Sequence, residues 1–138
     1  MGNTIGAKVE NAYTQVFTNL GIQGLGIYQG LDNQDKDAPC VIVSAGDVRD
    51  EAPHLSLWHV TLDITVKTMA ADSDKDISDY LVEQIFETAT DDNIKTALSA
   101  AVPSLVVLDI IFVSSSDDTQ GDAWTQSLQL EVVCVHNP

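Results

Sequence analysis

Apolar positions recur at two periods along this chain, and the places where the period changes mark its elements. Ile5, Val9, Ala12, Tyr13, Val16, Phe17 and Leu20 follow one another at steps of three and four. That spacing predicts an amphipathic helix over residues 5–20, with Gly21 as its C-cap because glycine takes the left-handed conformation cheaply. Residues 24–30 alternate weakly around Leu25 and Ile27 and predict a short strand, and residues 32–37 predict a polar loop. The β-branched run from Cys40 to Ser44 predicts a buried strand, followed by a turn-rich connection over 46–53. From about residue 55 to 68 the period is two. Trp58, Val60, Leu62, Ile64 and Val66 share one face, and His59, Thr61, Asp63, Thr65 and Lys67 share the other, the pattern of a sheet with one buried face. Leu55 and Leu57 are out of phase, which predicts a β-bulge near position 57 or partners for those side chains on the other face.

The helical period returns after Asp72 and Ser73. Ile77, Leu81, Ile85 and Ala89 form its apolar stripe, and acids crowd its first turn, where they suit the positive end of the helix dipole. Thr90, Asp91 and Asp92 can cap a short third helix holding Ile94, Leu98 and Ala101, which Pro103 ends. Residues 105–114 predict a strand that is apolar on both faces. Leu105, Val107, Ile111 and Val113 lie on one, and Val106, Leu108, Ile110 and Phe112 on the other, with only Asp109 interrupting. Such a strand either is central, with helices on both faces, or offers one face to another subunit. A loop over 114–122 and a final strand over 124–136 complete the chain. Strands joined by polar loops and separated by helices predict an α+β fold. It is a single mainly antiparallel sheet of four to five strands, with two main helices packed on it, in one domain spanning 1–138.

Composition then narrows the function. The 138 residues carry 21 Asp+Glu against 6 Lys+Arg, a formal net charge of −15. Arg49 is the single arginine and the lysines are scattered, so no basic stripe exists for phosphates or an anionic membrane surface. Residues 72–92 hold eight acids and one lysine, nearly half of the net charge. The first residues lack the charged and apolar regions of a secretory signal, and no apolar stretch approaches the ~20 residues of a membrane-spanning helix. Cys40 and Cys134 sit inside strand-like runs and read as buried free thiols.

Catalytic and ligand motifs are weak. His54 and His59 are five apart on a strand and face opposite sides, so with His136 they read as surface or edge histidines. Gly24, Gly26 and Gly30 lack the strand-then-helix context of a dinucleotide loop. Asp72, Asp74, Asp76 and Glu83 have the spacing of a calcium loop, but Ile77 stands where such a loop needs glycine and fits the helix stripe instead. Trp58 and Trp124 lie in phase with the buried faces and read as core or cross-strand packing, with contact between the two as one form of it. No catalytic, cofactor-binding or metal residue is assigned, and no cofactor is expected.

The order of elements is more distinctive than any motif. A first amphipathic helix precedes the run from Ala38 to Val43 and the acidic turn from Asp47 to Glu51. The long strand from Trp58 to Val66, the acid-capped helix at Asp72 and the Asp-rich loop before the strand from Trp124 to Val132 then follow. This resembles the tail terminator (tail completion, or minor tail) proteins of long-tailed bacteriophages over roughly residues 3–136. The resemblance implies a non-catalytic virion protein of the tail or neck, assembled in the bacterial host cytoplasm. As a homo-hexameric ring it caps the tail tube, stops its polymerisation and joins tail to head, with the tube protein and the head–tail connector or stopper as partners. DNA passes through the ring without specific binding. The resemblance carries over no individual residue, but the two-sided strand suggests that Val106, Leu108, Ile110 and Phe112, or the opposite set, help bury a subunit interface, and the local charge suggests Asp72, Asp74, Asp76, Asp79 and Glu83 as an acidic channel or partner face. Two alternatives remain open: a head–tail connector, stopper or other neck protein, and a small cytoplasmic ligand-binding module built on residues 24–30 with Trp58 and Trp124.

Overall fold

The computed structural model describes residues 4–22, 25–29, 40–52, 57–69, 75–91, 93–103, 105–120 and 123–136. Its order is α1 (Thr4–Asn19), β1 (Gly26–Gln29), β2 (Cys40–Ala52), β3 (Leu57–Met69), α2 (Lys75–Thr90), α3 (Ile94–Ala101), β4 (Leu105–Gln120) and β5 (Ala123–His136). The strands form one five-stranded sheet in the order β1-β2-β3-β5-β4. Three of its four pairings are antiparallel, and β1 runs parallel to β2. The α+β fold expected from the periodicity is therefore present, with a mixed edge at β1 where antiparallel pairing was expected.

The helices share one face of the sheet. Ile5, Val9, Tyr13 and Phe17 of α1, Ile85 and Ala89 of α2, and Ile94 and Leu98 of α3 are buried in one cluster with Val41, Val43, Val60, Leu62, Ile64, Val66, Leu128, Leu130 and Val132. The period-two stripe of β3 and the helical stripes thus meet in a single core, and each fully buried large side chain contributes roughly 1.5–3 kcal/mol. α1 ends at Gly21, whose φ of 69° is the left-handed cap its position predicts. Tyr13 crosses the core to donate its hydroxyl to the Ala89 carbonyl at 3.2 Å, satisfying one of the last carbonyls of α2.

Two expected loops are strand instead. β2 continues through residues 46–52 because it absorbs two bulges, one between Ala45 and Val48 and one between Asp50 and Ala52. Each adds one residue to β2, which lets a glycine- and acid-bearing segment stay in register. The bulge expected near position 57 is therefore on the partner strand. β3 pairs with β5 without a break, and Leu57 lies on the open face opposite Ala52 and Val135. Leu55 lies outside the described residues. The expected loop at 114–122 is largely the second half of β4, paired with β5 as far as Gln120↔Ala123, with two bulges keeping it in register.

α1 docks on the first β2 bulge. A Cβ at Gly6 would sit 3.3 Å from the Ala45 Cβ, so the helix and strand approach more closely there than a side chain comfortably allows. One turn further along, the Glu10 carboxylate accepts the Ala45 backbone N–H at 2.6 Å.

Candidate functional site

β4 is an edge strand, so the expectation of a central strand with helices on both faces is overturned. What remains is its apolar surface. Val106, Leu108, Ile111, Phe112 and Val113 are 41–57% exposed, while Leu105 and Val107 are buried at its start. The expected set Val106, Leu108, Ile110 and Phe112 does not share a face. β4 bulges between Val107 and Asp109 and again between Phe112 and Ser114, and each extra residue inverts the alternation. Val106 pairs with Val135 on the open face of the sheet. Ile110 and Phe112 pair with Val132 and Leu130 on the helix face. Leu108 and Val113 occupy the extra positions. Ile110 packs against the core, while Phe112 remains exposed. The two bulges thus spread apolar side chains over both sides of one edge. Asp109 lies 3.9 Å from Lys95 of α3 and accepts the N–H of Ile110.

The acidic set falls only partly within the described residues. Asp72 and Asp74 lie outside them. Positions 76, 79 and 83 follow one another along α2 at steps of three and four, on the side of the helix away from the buried Leu81, Ile85 and Ala89. Glu83 is exposed. These positions belong to the helix layer.

The open face of the sheet carries a polar network that sequence reading missed. The Arg49 guanidinium donates to Glu131 Oε1 at 2.6 Å, and His59 Nδ1 lies 2.9 Å from the same oxygen, so one carboxylate ties β2, β3 and β5 together. The hydrogen bonds from His59 and then Arg49 hold the Glu131 carboxyl below the usual carboxylate range. Further along, Gln129 donates to Asp63 at 3.1 Å, and Thr65 and Ser127 meet at 3.2 Å. The alternation placed His59 and Asp63 on this face. Arg49 was hidden because its strand looked like a turn, and Glu131 because nothing local states the register of β5 against β3.

The features considered for ligands separate in space. Trp58 pairs with Cys134 and Trp124 with Thr68, ten positions along the same ladder, which is roughly 33 Å at the rise of a strand. The two positions therefore lie far apart along the sheet. Trp58 is half-buried against the core with its indole N–H unpartnered. Gly24 and Gly30 lie outside the described residues, as does His54. A shallow cleft of about 360 Å³ opens between α1 and α3, lined by Gln15, Val16, Asn19, Ala97, Ala100 and Ala101. Among the described residues no three His, Cys, Asp or Glu side chains converge as metal ligands, and no helix is long and apolar enough to cross a membrane. Cys40 and Cys134 are buried and not joined in a disulfide, and burial pushes the Cys134 thiol up to about 11.

No family model and no curated protein matches the sequence. Among solved structures, a chain of the virion of a native gene transfer agent particle aligns with 94% of this chain and 96% of its own length. The identity is 14% and the TM-score 0.45.

Proposed function

We propose that this chain is a structural, non-catalytic protein of a phage-type virion, and more finely a tail terminator. As a hexameric ring it closes the tail tube, halts its growth and presents a surface to the head–tail connector. The observation that carries the reading is the apolar edge of β4. In a chain of net charge −15, five large apolar side chains stand exposed on one strand. A soluble monomer gains nothing from such a patch, whereas a subunit of an assembly buries it.

The charge supports the same reading. A ring multiplies the carboxylates of each copy, and phosphates that pass an anionic collar are repelled rather than held. The single arginine is engaged with Glu131, and the five lysines are scattered along the chain rather than arrayed in a stripe that would retain a nucleic acid.

Labelling purified particles with an antibody against the chain tests the placement. Electron micrographs should show label at the junction of head and tail. Label along the whole tube, or particles that contain none of the chain, would remove the reading.

A further inference from the structure

We infer that copies of this chain join by strand addition between unlike edges of the sheet, β4 of one copy pairing with β1 of the next. The inference rests on the proposal that the chain assembles with itself, and it specifies how.

Both edges are apolar on both faces. On β4 the bulges place Phe112 on the helix face and Val106 and Ile111 on the open face. On β1, Ile27 pairs with Val41 on the helix face, and Tyr28 stands opposite Ile42 on the open face. A strand that is apolar on both sides is satisfied by a neighbour that is apolar on both sides, because opposite residues of a ladder share a face. Burying both layers at once extends the two-layer core across the boundary.

Charge selects the same surfaces. Two copies of a chain at −15 repel wherever their acids approach. Between Leu105 and Ser116 the only charge is Asp109, which has Lys95 beside it, and Gly26–Gln29 carries none. These edges are where a copy can approach its copy. Pairing β4 with β4 about a two-fold axis would instead bring the Asp109 of each copy into neighbouring positions.

Direction agrees as well. β1 is parallel to β2, and three successive antiparallel pairings leave β4 running opposite to β1. A rotation about an axis along the strands keeps each copy's direction. It therefore sets β4 antiparallel to the next copy's β1, the more stable ladder. Unlike edges give a head-to-tail contact that closes into a ring when the rotation closes. The exposed β4 side chains supply on the order of 400 Å² of apolar surface, about half of the ~800 Å² per partner in a standard interface. The strand backbones and flanking segments supply the rest.

Disulfide trapping tests the inference. Phe112, Ser115 and Gln29 occupy exposed positions on the helix side of their strands. The full chain carrying Gln29→Cys with either Phe112→Cys or Ser115→Cys, two registers of the same contact, is oxidised and separated under denaturing, non-reducing conditions. We expect a ladder of multimers ending in one closed species for at least one double variant, and none for the single variants or the parent chain, whose cysteines are buried. A dimer from Phe112→Cys or Ser115→Cys alone would replace the inference with two-fold β4 pairing. No ladder from either double variant, with sedimentation equilibrium showing monomer at every concentration, would overturn it. Label at the head–tail junction would survive that failure, so the inference and the functional reading fail separately.

Discussion

The Glu10 carboxylate accepts the backbone N–H of Ala45 at 2.6 Å, where β2 slips out of register and α1 lies against the sheet. A bulge leaves a backbone group without its ladder partner, and here a helix side chain replaces it. Glu10→Ala should lower stability by about 1–3 kcal/mol, the cost of orphaning a partly buried donor. Glu10→Gln, which keeps an acceptor, should recover most of that loss. Urea midpoints at unchanged m report both.

Tyr13 joins α1 to the end of α2. Tyr13→Phe removes its hydrogen bond to Ala89 and keeps the ring, and should cost about 0.5–1.5 kcal/mol in urea unfolding. Burial raises the phenol above its ordinary value. Its contribution is therefore complete below about pH 10, the unfolded value, and is lost as pH rises beyond it. The variant should lose less stability than the parent above that pH.

Cys134 acts in the same direction at lower pH. Its thiol is pushed up to about 11 by burial, against ~8.5 in an unfolded chain. Stability should be constant below the unfolded value and fall as pH rises from there to about 11. Melting temperatures from pH 7 to 11 should show this slope in the parent, and a shallower slope in Cys134→Ala at a lower overall Tm.

Glu131 works on the acid side. Its carboxyl lies below the ordinary range because His59 and Arg49 both bond to it. Its contribution is present above the unfolded value of about 4.3 and is lost as pH falls below that toward its folded value. Carbon-detected NMR titration should place its midpoint below 4.3 by an amount that shrinks in Arg49→Gln. The stability effect should be small, since Arg49 is largely exposed.

Much of this fold could be read from periodicity alone, and bulges account for several of the failures. The stripe of Trp58, Val60, Leu62, Ile64 and Val66 and the helical steps from Ile5 to Phe17 name their own partners, because each has one apolar side. Bulges break that rule. They turned residues 46–52 and 114–120 from apparent loops into strand, and they split Val106 from Ile110 and Phe112, which strict alternation had placed together. The parallel pairing of β1 was equally hidden, since four residues carry no signal of direction. The candidate surface was readable as an excess of apolar positions on β4. Its position at the sheet edge was not, because strand order is a long-range property. The Arg49, His59 and Glu131 cluster spans 82 positions of sequence and depends on that order.

The central claim is that the chain closes a tube by forming a ring on its end. Electron microscopy of polymerising tail-tube protein, with and without the purified chain, measures this directly. The account predicts tubes that stop growing when the chain is added, each carrying one closed ring at its end, and growth restored when Phe112→Lys replaces the parent. Tubes that lengthen equally with and without the chain, and bear no ring, would contradict it.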